Sequence, residues 1–139
     1  MNTKEFIHAI KGRPWVNRAS SFDEVDCYGL IVLYYEHVLG VTLPNVSGYE
    51  SNDCTIDSGW HSAICDWEEV TTPITQGLVF TCYKGDTPTH VGLVISPTHV
   101  LHSRGSPNHH GKVEYHSIRA IKSIYGKMTF HKFIGDKNA

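Results

Sequence analysis

Cys27 follows Asp26 at the head of the most apolar stretch of the chain, and two histidines, His90 and His102, sit further on in short apolar runs. A cysteine in the first turn of a helix is placed for reactivity, because the partial positive charge at a helix N-terminus stabilises thiolate. Histidine is the side chain suited to take the thiol proton near neutral pH. If residues 89–95 and 100–103 form a hairpin turning about residue 96, His90 and His102 are direct cross-strand neighbours, their Cβ atoms about 5 Å apart. A register shift of two residues leaves them diagonal on the same face, because side-chain parity is preserved. One ring can then act as base while the other fixes its tautomer. Other readings stay open at this point. Cys27 can be core filling, and the histidines can be solvated strand residues or, with His99, a zinc site.

The elements that must carry these residues are legible in outline. Residues 3–11 read as a short amphipathic helix with Thr3 as N-cap and Phe6, Ile7 and Ile10 on one face, ended by Gly12-Arg13-Pro14. The fourteen residues from Asp26 to Leu39 are apolar all round, too long for an ordinary strand and suited to a buried central helix. Asp26 is the expected N-cap and Gly40 the expected stop. Residues 41–53 read as loop and 54–67 as a weaker helix. After Pro73 the pattern changes to strands. Leu78–Tyr83, Thr89–Ile95 and Val100–Ser103, punctuated by Lys84-Gly85-Asp86 and Ser96-Pro97-Thr98, read as an antiparallel meander. Lys112–His116 and Met128–Ile134 add two further strands. Helices first and strands after make an α+β fold, one domain over residues 1–139.

Composition bounds the function. The 139 residues, 40% hydrophobic and 19% charged with a formal charge of −2, suit one globular domain and offer no basic surplus for phosphates. Nucleic acid is therefore not expected as a partner. The longest apolar run, Leu30–Tyr35, is far short of a membrane span, so no membrane insertion is expected. The first residues show neither a continuous apolar stretch nor a small-residue cleavage site, so synthesis and folding in a host cytoplasm without a signal peptide are expected.

The remaining reactive side chains have plainer readings. Cys54, Cys65 and Cys82 form no C-x-x-C pair and read as small buried hydrophobes. His109-His110-Gly111 reads as a polar loop, and His8, His37, His61, His99, His116 and His131 are scattered without an H-E-x-x-H motif. Glu68-Glu69 reads as a solvated pair. Neither a metal nor an organic cofactor is expected.

Three blocks in order carry a resemblance. Asp26-Cys27-Tyr28-Gly29-Leu30-Ile31 resembles the D-C-S-G-L-V signature of the NlpC family of papain-like cell-wall cysteine peptidases. His90-Val91-Gly92-Leu93-Val94-Ile95 resembles that family's H-V-G-I-Y-L strand, and Val100-Leu101-His102-Ser103 its F-I-H-A strand. Gly77-Leu78-Val79-Phe80 stands where the family's G-D-L-V-F strand belongs, with Leu78 in place of the aspartate. The resemblance runs from about residue 12 to 103. It implies a papain-like fold in which N-terminal helices, including a central cysteine-bearing one, pack on a small antiparallel sheet. It also implies Cys27 as nucleophile, His90 as base and His102 as third catalytic residue. The substrate implied is peptidoglycan stem peptide, cut next to γ-D-glutamate. Trp15, Asp26 and Tyr28 are the residues expected at the substrate. Trp15 stands where many members have a tyrosine facing the active site, and Tyr28 replaces the usual serine.

A narrower resemblance is to the phage-tail branch of the family. Gly12-Arg13-Pro14-Trp15, the aspartate-cysteine-aromatic-glycine order and Leu39-Gly40-Val41-Thr42-Leu43-Pro44 are similar to small peptidases encoded among tail-tip genes. It implies a virion location, tail-tip or hub proteins as partners and a role in penetrating the cell wall. The alternatives are a catalytically silent structural or plug component of the tail tip, and a thiol amidase or acyltransferase on the same fold.

Overall fold

The computed structural model describes residues 1–16, 19–43, 67–71, 74–105 and 111–133. Helix α1 spans Thr3–Ile10, and its cap lies one residue before the expected Thr3. Its N-cap is Asn2, whose side chain accepts from the Glu5 N–H while the Glu5 carboxylate accepts from the Asn2 N–H. This reciprocal box satisfies two orphan donors, which a Thr3 cap would not.

Helix α2, Cys27–Tyr34, is the central helix, and its N-cap is Asp26 as expected. The anticipated fourteen residues divide. After Tyr34 the chain widens into one π turn, Tyr35–Leu39, and stops at Gly40 in the left-handed region with φ 70°. Only glycine takes that conformation at little cost. The Tyr35 hydroxyl donates to the Gly77 carbonyl at 2.6 Å, tying the π turn to the lead-in of the sheet.

The strands are β1 (Trp67–Val70), β2 (Val79–Lys84), β3 (Thr87–Val94), β4 (His99–Ser103), β5 (Val113–Ser117) and β6 (Met128–Phe133). They form one antiparallel sheet in the order β1-β6-β2-β3-β4-β5. The meander β2 to β4 and two further strands were expected; β5 extends the meander, and β6 returns to lie against the outer side of β2. Helix α3, Ile118–Tyr125, fills the stretch between β5 and β6 and is capped by Ser117, whose Oγ accepts from Ala120 N–H at 3.0 Å. The helix expected over 54–67 falls outside the described residues except at Trp67, which opens β1.

Alternation along the strands sorts the core into two layers. Val79, Val91, Leu93 and Leu101 pack with α1 and α2, while Phe80, Cys82, Val94, Val100 and Phe130 pack with Ile121 of α3. The fold is the expected α+β one, with the cysteine-bearing helix on one side of the sheet and the later helix on the other.

Candidate active site

The hairpin between β3 and β4 positions both histidines, and its register is two residues from the symmetric one. Leu93 pairs with Leu101 and Val94 with Val100, so the turn centres on Pro97. The shift follows from Ser96, whose Oγ accepts from the N–H groups of Thr98 and His99 and holds a four-residue turn. His102 therefore faces Gly92, with His90 diagonal to it on the same face.

The ladder between β3 and β4 ends at Leu93 and Leu101. Beyond that point β3 stays paired with β2 as far as Thr87, and β4 stays with β5 as far as Ser103. There His90 and His102 approach each other without a ladder between their strands. Glycine at 92 makes their approach possible. A Cβ there would lie 2.8 Å from the His102 Cβ and would run into the Phe80 ring.

The N-terminus of α2 is seated by the same part of the sheet. Ser103 Oγ donates to the Val25 carbonyl at 2.9 Å, two residues before Cys27. Helix α2 packs on both β3 and β4. Asp26 N–H donates to the Ala19 carbonyl at 3.1 Å, and Asp26 Oδ1 accepts from Gly29 N–H at 2.7 Å. The Ala19 carbonyl lies where a Gly29 Cβ would be, so the element that needs glycine two residues past Cys27 is this incoming loop. Cys27 is buried, 1% exposed, in the first turn, where the helix leaves its N–H groups without intrahelical partners.

The histidines form a string of three. His90 Nε2 lies 2.8 Å from His102 Nδ1, and His102 Nε2 lies 2.8 Å from His116 Nδ1. The first bond leaves Nδ1 as the His90 nitrogen open to a thiol. Tyr125 of α3 stacks on the His90 ring at 5.3 Å, and Phe80 meets both inner rings edge-on. Burial holds His90 down to about 4, with the Arg104 guanidinium adding to the effect. His102 is lowered further, first by burial and then by its imidazole neighbours and Arg104. Both rings are therefore neutral at pH 7, the state a base needs before it accepts a proton.

Each further expected site residue has a definite place. Asp26 is 1% exposed, and its carboxylate caps α2. Tyr28 is buried in the layer shared by α2 and the sheet. Trp15 bridges to Val25, and its side chain lies against Gly105, where a Cβ would come within 2.8 Å of its own Cβ. The Trp15 ring is buried, and its Nε1–H has no hydrogen-bond partner among the described residues. Cys82 is buried on β2 beside His90, with its thiol pushed up to about 12 by burial, which matches the reading of it as a small hydrophobe. Cys54, Cys65 and the His109-His110 pair lie outside the described residues. His99 turns away from the string, stacking on Tyr115 and meeting Thr98 Oγ1 at 2.8 Å.

His116 is the residue that sequence reasoning left among scattered histidines. Its signal was parity: β4 and β5 pair His102 with Glu114, so His116, two residues on, shares their face. His102, Glu114 and His116 each place a ligand-type atom within 4.8 Å of the others. Two nitrogens on one tetrahedral zinc stand roughly 3.3 Å apart, from Zn–N lengths near 2.0–2.1 Å. The 2.8 Å between His102 and His116 is instead the spacing of a shared proton.

The family model described as NlpC/P60 matches residues 12–134. No curated protein matches the sequence. Among solved structures, the NlpC/p60 domain of peptidoglycan hydrolase SagA superposes with a TM-score of 0.58 at 16% identity, over 91% of this chain and 92% of that one. NlpC2 from Trichomonas vaginalis gives 0.64 at 17% identity, over 94% of this chain and 44% of that one. An NlpC/P60 family protein from Bacillus cereus ATCC 10987 gives 0.59 at 20% identity, over 90% of this chain and 37% of that one. At these identities the likeness is one of fold, and the chain spans less than half the length of the last two.

Proposed function

The chain belongs to the NlpC/P60 family of cysteine peptidases, and on that premise we propose that it hydrolyses peptidoglycan stem peptide next to γ-D-glutamate, with Cys27 as nucleophile and His90 as base. The observation that carries this reading is the 2.8 Å bond from His90 Nε2 to His102 Nδ1, which leaves the opposite nitrogen of a neutral ring for the thiol. The thiol proton passes to His90 Nδ1, and the thiolate attacks the scissile carbonyl. The tetrahedral oxyanion is met by the Cys27 backbone N–H in the first turn of α2. The C–N bond breaks as His90 returns the proton to the leaving amine, giving an acyl-enzyme. Water, deprotonated by His90, then releases the new carboxylate and regenerates the thiol. His102 holds the His90 ring throughout. Digestion of purified sacculi, with products identified by mass, tests the reading. New termini at the γ-D-glutamyl bond are expected, and products cut only at an amide of the glycan junction would replace it with the amidase alternative.

We further propose delivery in a phage tail tip, on the strength of the Gly12-Arg13-Pro14-Trp15 and Leu39–Pro44 segments. Copurification with assembled tails at low copy number is expected. Cys27→Ala particles should assemble and adsorb normally yet deliver DNA poorly through thick or highly cross-linked wall. A purely structural tail component predicts a silent Cys27→Ala and an assembly block on deletion.

A further inference from the structure

We propose that His116 is a positioning residue for this reaction: it ends a one-way string of imidazoles that fixes His90 with its proton on Nε2 and its Nδ1 open to Cys27. The inference rests on the assignment of Cys27 and His90 as nucleophile and base. It follows from counting protons along two bonds. When His90 has taken the thiol proton, both its nitrogens carry hydrogen. His102 Nδ1, 2.8 Å from His90 Nε2, must then accept. A neutral His102 accepting at Nδ1 carries its proton on Nε2, and that N–H donates to His116 Nδ1 at 2.8 Å. His116 must in turn accept at Nδ1 and carry its own proton on Nε2.

The opposite polarity is fatal to the base. A His116 protonated on Nδ1 donates inward to His102 Nε2, His102 donates from Nδ1 to His90 Nε2, and His90 is left with its proton on Nδ1, unable to take the thiol proton there. Two features favour the outward sense. His90 and His102 are buried whereas His116 is only partly so, and water can meet an N–H at that outer end. The acceptor-only carboxylate of Glu114 lies within 4.8 Å of the His102 and His116 ligand atoms, while Arg104 presses positive charge away from His90 and His102. Among the described residues, the titratable and charged groups on the elements around the string include Cys27 on α2, Cys82 on β2 beside His90, Arg104 after β4, Glu114 on β5 and Tyr125 at the end of α3.

The test uses the whole chain labelled with ¹⁵N-histidine, with long-range proton–nitrogen spectra reading each tautomer at neutral pH. His90, His102 and His116 are all expected as the Nε2–H form. An Nδ1–H form at any of the three overturns the inference. His116→Phe removes the acceptor, and His116→Asn keeps an oxygen near the Nδ1 position. His116→Phe should lower kcat and the neutral-pH alkylation rate of Cys27 by about ten- to hundredfold, the range lost when an orienting partner of a functional histidine is removed, with KM little changed. His116→Asn should restore most of both. A folded His116→Phe protein with the wild-type pH profile of alkylation overturns the inference, and if that variant does not fold, the tautomers and the asparagine variant still decide it. Failure of the underlying assignment looks different: in the wild-type protein Cys27 would then alkylate no faster than Cys82.

Discussion

His90 and His102 share a hydrogen bond of 2.8 Å although they do not face each other across the sheet. The residue opposite His102 is Gly92, and the missing side chain there opens the diagonal along which the rings meet. A hydrogen at position 92 thus does for the pair what direct cross-strand pairing would otherwise have done. The same glycine lets the Phe80 ring close over both imidazoles and keep water from them.

Cys27 should be the reactive thiol. With iodoacetamide at pH 8 it is expected to outpace Cys82 by at least about a hundredfold, because thiolate is the nucleophile and burial keeps Cys82 protonated. Cys27→Ser should fold with an unchanged Tm and lose sacculus digestion. Full activity in that variant would exclude the cysteine mechanism.

The two inner histidines should not be equivalent. His90→Ala removes the base and is expected to cost on the order of 10²–10⁴ in kcat. His102→Gln keeps a hydrogen-bonding group beside His90 and should cost about ten- to hundredfold. Measured kcat values in the reverse order would exchange the roles assigned to them.

Much of this site was readable in the chain because its parts are local. Asp26 before an apolar run is an N-cap by chemistry, and Gly40 ends that run for lack of a Cβ. Parity put His90 and His102 on one face whether the turn centred on residue 96 or 97. What was not readable depends on distant partners. Strand β1 carries two acids in four residues, Glu68 and Glu69, and is a strand because it pairs with β6 some sixty residues later. His116 needed the β4–β5 register, which the long connection after Ser103 does not set locally. The Ser117 cap and amphipathic spacing of α3 are local signals too, but they are short and lie between two strand patterns that mask them. The π turn at Tyr35–Leu39 has no signal in hydrophobic periodicity, since the whole run is apolar.

Gly92→Ala should be more damaging than its one added methyl suggests. The new Cβ meets the His102 Cβ at 2.8 Å and the Phe80 ring, neither of which sits at the end of a flexible chain. Overpacking of this kind costs about 1–3 kcal/mol. Activity should fall further than stability does, because relief requires His102 to move away from His90. A variant with wild-type Tm and wild-type kcat would show that the two strands part more readily than this geometry implies.

Acid should weaken the fold before its carboxylates titrate. His90 is held to about 4 against an ordinary 6.5, first by burial and then by Arg104, and His102 and His131 are lowered in the same sense, chiefly by burial. Between pH 6.5 and about 4 the unfolded chain therefore binds protons that the folded protein refuses at these sites. With more protons bound in the unfolded state, stability rises with pH. The contribution of His90 is complete above about 6.5 and is lost progressively as pH falls towards 4; that of His102 continues to fall below this. Tm measured from pH 7.5 down to 5, above the usual carboxylate range, should thus decline steadily. His102→Gln has no proton to gain there, so its Tm should decline less steeply than the wild type over the same interval. Parallel slopes for the two proteins would mean that His102 is not held neutral by burial, and the ring would then have to share its charge with Glu114.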